Sequence, residues 1–581
     1  RPFRPFCRSS QPPAARPPGR PARPAGTPMA GVVPTSGGDS RRELREGLVA
    51  EEEEETVPAS FYKDEVKTMC SVGWPMLVSF FCRYGMAAED TFFVGHLTTA
   101  ASHGQRMLSS RIWGQVGATL ISYGFLTNAD PSAGYGPKEY LAAAQLADMV
   151  TNILIIPPLA FNMCLNALVS QAMGSGNKKM AGTWCQMSLI WLTLSYLPCL
   201  VSFFFVSQML GLLGFDADIC ELAGTYAKFN AIWPIPNGWY QCMRFYFQAQ
   251  GVTRPAMYNN ILFLAVNALL NWIFVFGGPF RAWFGWHGFG FVGAAISLSC
   301  SRSLQPLFYW LYMYWWKKAH VETWPSWSER TWQKREHVRA FMKMALPNIG
   351  TLIFQAVIGQ ATTLLIAKLG TMAISASSAV SAATIVLSGS LSPTLSMVGG
   401  MRVGYYLGKG QPMRANRVST LAMGLGCGLT GILSLAALPF ANQIMKVVTS
   451  DPAIQSPAAA ILPAVMLNMA AAIVVSIGTQ GVLQSQGRTG MVTFLSMGFE
   501  LPMTIGSTAI LVFVFNASLQ TVYWAQAAVT IIEAVVVVAI VQRSDWAGCA
   551  RDAQQRQGQQ GEENEEDACA ASPSASEAST T

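Results

Sequence analysis

Apolar residues in this chain fill long continuous runs, divided by short polar connections. Twelve runs come close to or exceed the roughly 20 residues that cross a bilayer as a helix. They fall at about 69–94, 141–170, 184–210, 221–247, 255–277, 290–316, 341–368, 373–403, 416–441, 456–483, 490–515 and 519–542. Backbone groups in lipid must pair within their own segment, so each run predicts a helix. The expected fold is an all-α membrane protein with twelve transmembrane helices. Residues 1–59, with the acidic run Glu51 to Glu55, and the Gln/Glu/Ser/Ala-rich residues 546–581 are expected to be disordered tails.

The two halves repeat in the same orientation. Pro75 and Pro347 open the first and seventh runs at an offset of 272, which Leu97 and Leu369 keep. Gln171-Ala-Met-Gly-Ser-Gly176 and Tyr405-Tyr-Leu-Gly-Lys-Gly410 follow the second and eighth runs, and Gly174 and Gly408 are 234 apart. Gln248-Ala-Gln-Gly251 and Gln484-Ser-Gln-Gly487 follow the fourth and tenth at 236. The fall in offset places 36–38 extra residues near 103–139, which contain the short apolar stretch Ile112–Leu126 and read as an outer loop. The predicted organisation is an amino lobe at 60–316, a cytoplasmic linker at 317–340 and a carboxyl lobe at 341–545, forming two pseudo-symmetric six-helix bundles. A parallel six-plus-six repeat is a transporter arrangement, with the substrate near the midplane between bundles that rock.

Composition narrows the partners. The chain is 51% hydrophobic and 12% charged, where soluble domains carry roughly 25% charged residues. The net charge is +7, but six arginines lie within residues 1–28, and without that stretch it falls to +1. No basic face for nucleic acid is indicated. The twelve cysteines form no C-x-x-C, and the five histidines sit at run ends or in connections. Neither a zinc site nor a haem is expected, and no cofactor beyond a coupling ion, H⁺ or Na⁺. Basic residues alternate between connections, which predicts that both termini are cytoplasmic. Plasma, vacuolar and plastid envelope membranes all suit such a chain, and a monomer is expected. The lack of clustered His, Asp, Glu or Cys disfavours an enzyme, and the repeat disfavours a receptor.

Several motifs carry a family resemblance. Asp90-Thr-Phe-Phe-Val-Gly-His-Leu97, Val169-Ser-Gln-Ala-Met-Gly-Ser-Gly-Asn177, Phe247-Gln-Ala-Gln-Gly251, Gly293-Ala-Ala-Ile-Ser297 and Gly481-Val-Leu-Gln-Ser-Gln-Gly-Arg488 resemble the multidrug and toxic compound extrusion (MATE) family. Gln542-Arg-Ser-Asp-Trp546 is similar to the ending of its eukaryotic members. The resemblance implies an antiporter that exports small organic compounds in exchange for H⁺ or Na⁺. An organic-anion exporter or a lipid-linked flippase of the same fold is the alternative.

Charges inside membrane spans are costly, about 2.5–3.5 kcal/mol each on insertion scales, so the few present are candidates. The resemblance implies that Asp90 is the cation-binding carboxylate of the amino half. Asn267 and Asn271, at i and i+4, share one helix face, and the resemblance places them opposite Asp90. Ser297 or Ser299 would add a hydroxyl oxygen; helix packing is the other reading of these polar residues. Glu89, about 100° around the helix from Asp90, is expected in a different environment. Many family members carry Glu where this chain has Gln355 and Gln360, and the usual tenth-span acid falls at Ile473. Glutamine cannot titrate, so these two become candidate substrate contacts and Glu500 a candidate displaced acid. Arg83 and Arg302 lie within spans, either neutralising nearby acids, Asp148 among them, or attracting an anionic substrate.

Overall fold

A computed structural model of the chain describes residues 58–95, 137–286, 288–448 and 451–558. The amino-terminal tail before residue 58, most of the inserted stretch and the last 23 residues lie outside the described residues. The chain divides into two units, Arg1–Lys63 and Asp64–Thr581. Of the first, Pro58 to Lys63 are described, and they are helical from Ala59. The second holds everything below.

Twelve helical segments account for the apolar runs. The amino bundle comprises α1 (Ala59–Gly95), a broken span α2 (Pro137–Leu154), α3 (Ile156–Met163) and α4 (Leu165–Ser175), then α5 (Lys178–Phe203). It continues with α6 (Ala217–Asn230) joined to α7 (Pro234–Ala249), α8 (Arg254–Phe276) and α9 (Phe291–Trp310). The carboxyl bundle comprises α10 (Arg335–Ala367), α11 (Thr371–Gly408), α12 (Pro412–Ala437) and α13 (Pro452–Ser476), which runs on as a π-helix over Ile477–Leu483. It closes with α14 (Thr489–Leu495), a π-helical turn Ser496–Glu500, α15 (Leu501–Phe513) and α16 (Leu519–Gln542). The second span bends by 53° between Leu154 and Ile156, where Pro157 and Pro158 open α3. Each proline removes a donor and crowds the carbonyl four residues back, which breaks the helix there.

Among the described residues, seven helices are long and apolar enough to cross a membrane, or nine when two bent pairs each count as one span. The three segments left over are α1, α6–α7 and α9, all in the amino bundle. They fall short because they carry its internal polar groups, including Arg83, Asp90, Arg244 and Arg302. The hydropathy deficit thus marks where the polar chemistry sits.

The two bundles meet at one end through the repeated glycine motifs. An added Cβ at Gly174 of α4 would lie 2.0 Å from the Tyr405 carbonyl oxygen of α11, and one at Gly408 would lie 2.1 Å from that of Gln171. Because Gln171 and Tyr405 are also 234 apart, these two contacts exchange under the repeat. Only glycine permits such backbone contact.

At the same end Glu65 of α1, 4% exposed, receives two bonds from Arg402 of α11, Nε to Oε2 at 2.9 Å and Nη2 to Oε1 at 2.5 Å. Tyr406 Oη also donates to Glu65 Oε1, at 2.5 Å. Arg402→Met would strand a buried carboxylate, at a cost of about 3–5 kcal/mol. Thermal unfolding in detergent is expected to show a midpoint several degrees lower, partly restored by adding Glu65→Gln; an unchanged midpoint would refute this.

The residues after the last span depart from the expected tail. Trp546–Arg556 form helix α17, capped by Asp545, whose Oδ1 accepts from the Gly548 amide at 2.8 Å. Gln557, just beyond, accepts through its carbonyl from Asn177 Nδ2 at 3.0 Å and through Oε1 from Trp184 Nε1 at 3.1 Å. Arg556 Nη2 reaches the Gln486 carbonyl at 3.5 Å, so the segment touches both bundles. Tertiary hydrogen bonds, which composition does not reveal, order these polar residues.

Candidate functional site

Asp90 lies five residues before the end of α1, opposite the polar face of α8. Its Oδ1 accepts from Asn267 Nδ2 at 2.9 Å and from Asn271 Nδ2 at 2.8 Å. One helical turn separates the two asparagines, so their amides reach one carboxylate oxygen from the same face. Both are fully buried, and each leaves its Oδ1 without a hydrogen-bond partner. Ser297 of α9 is fully buried too, with its hydroxyl unpartnered.

This arrangement can hold Asp90 in either protonation state. With the amides in this orientation, two N–H donors satisfy a carboxylate. A half-turn of either amide about its χ2 presents Oδ1 instead, which accepts from a protonated Asp90 or coordinates a hard cation. Asp90, Asn267, Asn271 and Ser297 are thus the residues able to supply oxygen ligands. Among the described residues, no cluster of three or more His, Cys, Asp or Glu could hold a metal ion.

Three expectations change. Glu89 does not face elsewhere: Asn267 Nδ2 also donates to its Oε2, at 3.3 Å. The longer glutamate side chain spans the angular offset that separates its Cα from Asp90. Asp148 is exposed on α2, and among the described residues no ion pair joins it to an arginine. Arg302 of α9 is buried, and its Nη1 has no hydrogen-bond partner. Arg83 is half-buried on α1, and among the described residues no ion pair joins it to a carboxylate.

Gln355, Gln360 and Glu500 belong to the other bundle, where α10 packs against α14, the Ser496–Glu500 turn and α15. Gln355 is half-buried and Gln360 exposed; Glu500 is half-buried, in a turn that packs on α16, where Glu533 is buried. None of the three hydrogen-bonds to the Asp90 group. Sequence reasoning passed over Arg244 of α7, which is 2% exposed. An arginine within Cys242-Met-Arg-Phe-Tyr-Phe247 was the available signal.

Twelve membrane helices in two pseudo-symmetric bundles, one with a polar interior, define a multi-pass membrane transporter. The chain belongs to the MatE family, whose profile matches residues 118–273 and 347–506, more than half of its length. It is 25% identical over 431 residues to multidrug and toxin extrusion protein 1 of Xenopus tropicalis, covering 73% of this chain and 71% of that one. Protein DETOXIFICATION 36 of Arabidopsis thaliana is 22% identical over 424 residues, covering 71% and 80%. The crystal structure of the eukaryotic MATE transporter AtDTX14 superposes with a TM-score of 0.68 at 18% identity, over 85% of this chain and 99% of that one.

Proposed function

We propose that this transporter is an antiporter that exports small organic compounds in exchange for H⁺ or Na⁺ by alternating access. The observation that carries the reading is Asp90 Oδ1 accepting from both Asn267 and Asn271 inside the amino bundle. A coupling ion must bind two conformations with different affinity. A carboxylate between two reversible amides meets that need if bundle motion alters its distance to α8. The basic connections support cytoplasmic termini. The end joined by Gly174, Gly408, Glu65 and Arg402 is then the cytoplasmic one, and the bundles are closed on that side. The lobes are assigned to residues 60–316 and 341–545, linked by 317–340.

The test uses proteoliposomes and a fluorescent organic cation, with a pH gradient or a Na⁺ gradient imposed separately. Accumulation is expected to follow one gradient and vanish when an ionophore collapses it. If accumulation is the same with and without either gradient, the antiport reading fails.

A further inference from the structure

Helix α17 is fixed to one bundle and bonded to the other. Its buried residues Trp546, Cys549, Ala550 and Ala553 recur at i, i+3, i+4 and i+7, a single helix face. The helix packs on α11 and α12 of the carboxyl bundle. Its root is held there too, where Arg488 Nη1 donates to Ser544 Oγ at 2.9 Å. Two glycine turns of the same bundle lie under its polar side chains. A Cβ added at Gly487 would lie 2.6 Å from Arg556 Nη1, and one at Gly410 would lie 2.6 Å from Gln554 Nε2. The repeat relates these turns to Gly251 and Gly176 of the amino bundle, where an added Cβ would meet nothing within 4 Å. The helix therefore covers one half of a repeated scaffold and not the other.

The end of α17 crosses the seam. Gln557 is 1% exposed, and its side chain and carbonyl bond to the amino bundle. Besides the contacts to Asn177 and Trp184 described above, its Nε2 donates to Gln171 Oε1 at 3.5 Å. Arg556 Nε donates to the same oxygen at 3.4 Å. Gln171 is fully buried, and its own Nε2 donates back to the Ser485 carbonyl of the carboxyl bundle at 2.6 Å. The indole of Trp184 is also fully buried, with Gln557 Oε1 as the acceptor of its N–H. A buried donor that loses its acceptor is costly until water reaches it. Withdrawing Gln557 while the bundles stay together leaves that donor dry; parting the bundles admits water.

We propose that Gln557 and Arg556 are positioning residues of the transport cycle: they latch the carboxyl bundle to the amino bundle at this end, and each cycle releases them. Bundles that rock must part at each end in turn. Bonds that join two such bodies across a seam exist in one arrangement only. The latch therefore sets the fraction of the protein open at this end. The apparent affinity for a compound entering there scales with that fraction. The proposal rests on the alternating-access part of the reading above, and not on which ion drives exchange.

The test measures bundle separation in the purified full chain, with no gradient applied. Spin labels go at Lys67→Cys of α1 and Lys343→Cys of α10, exposed positions toward the same end, with Cys7, Cys70, Cys427 and Cys569 replaced by Ser. Gln557→Ala is expected to raise the long-distance population about tenfold, the scale of one or two buried hydrogen bonds. Asn177→Asp breaks the latch from the opposite side. It keeps the cap of α5, where Asn177 Oδ1 accepts from the Met180 amide at 3.2 Å, and loses the donor to the Gln557 carbonyl. The same shift is expected, and the double variant should add little to either. Gln555→Ala, at an exposed position on α17, should leave the distribution unchanged. Wild-type distances in both Gln557→Ala and Asn177→Asp would overturn the proposal, as would an equal shift in Gln555→Ala. A lower unfolding midpoint with wild-type distances would assign Gln557 to the fold alone and overturn it too. A tenfold shift upholds the latch even if flux ignores every ion gradient, a result that would remove the antiport reading alone.

Discussion

Asp90→Asn is expected to uncouple transport while leaving the protein folded. Asparagine has the shape of aspartate and one oxygen that can still accept from Asn267 and Asn271, now at 2.9 and 2.8 Å from Asp90 Oδ1. What it cannot do is titrate or hold a cation by charge. A pH gradient of one unit is worth about 1.4 kcal/mol per proton. One proton exchanged for one univalent cation therefore sustains an accumulation of about tenfold. In the variant that ratio should fall to equality, with gel filtration and thermal unfolding matching or exceeding the wild type, since a buried charge has been removed. Accumulation at the wild-type level would show that coupling does not pass through Asp90 and would turn attention to Glu500 beside Glu533. Were Na⁺ the driving ion, the same variant would abolish the response to a Na⁺ gradient, because two amides and a hydroxyl offer no net charge to balance the cation.

Where the sequence is legible, one strong physical signal dominates. Runs of about 20 apolar residues mark helices because lipid leaves the backbone no other way to pair. The three least apolar spans were still readable because their neighbours and the repeat fix their places. Asn267 and Asn271 are recognisable as one helix face by spacing alone, and the family resemblance supplied Asp90 as their partner. The rest depends on distances that sequence does not encode. Helical angle set Glu89 aside, yet side-chain length brings it to Asn267. Arg244 sits near the end of its run, where an arginine ordinarily reaches toward the lipid headgroups; instead it is buried, with its guanidinium over the rings of Phe80 and Phe245. Glu65 and Arg402 are 337 residues apart, and each alone reads as a charge near a membrane boundary. Helix α17 has a polar composition that suits a disordered tail, and its hydrogen bonds to α4, α5 and the Gln484–Gly487 turn are what order it.

Gly174→Ala and Gly408→Ala are each expected to separate the bundles at the end where the repeated motifs meet. The added methyl would lie 2.0 Å from the Tyr405 oxygen in the first case and 2.1 Å from the Gln171 oxygen in the second, and both obstacles are backbone. A helix must therefore move by about 1 Å or more, since overpacked contacts cannot be relieved by a rotamer change. The contact is inter-bundle, so strain of about 1–3 kcal/mol falls on the closed arrangement and leaves each bundle intact. That is enough to shift a two-state equilibrium by roughly 5–150-fold toward the arrangement parted at this end. Spin labels at Lys179→Cys and Arg417→Cys, both exposed positions, would report it once Cys70 and Cys427, exposed among the described residues, and Cys7 and Cys569, outside them, are replaced by Ser. The distance distribution should lengthen in either glycine variant, with slowed transport because closure at this end becomes the costly step. Gly424→Ala is the control: it adds the same methyl to α12 where nothing lies within 4 Å, and it should change neither distance nor flux. Unaltered distances in both Gly174→Ala and Gly408→Ala would mean that the bundles do not part along this seam. Alternating access would then have to proceed with Glu65, Arg402 and the paired glycines held together throughout.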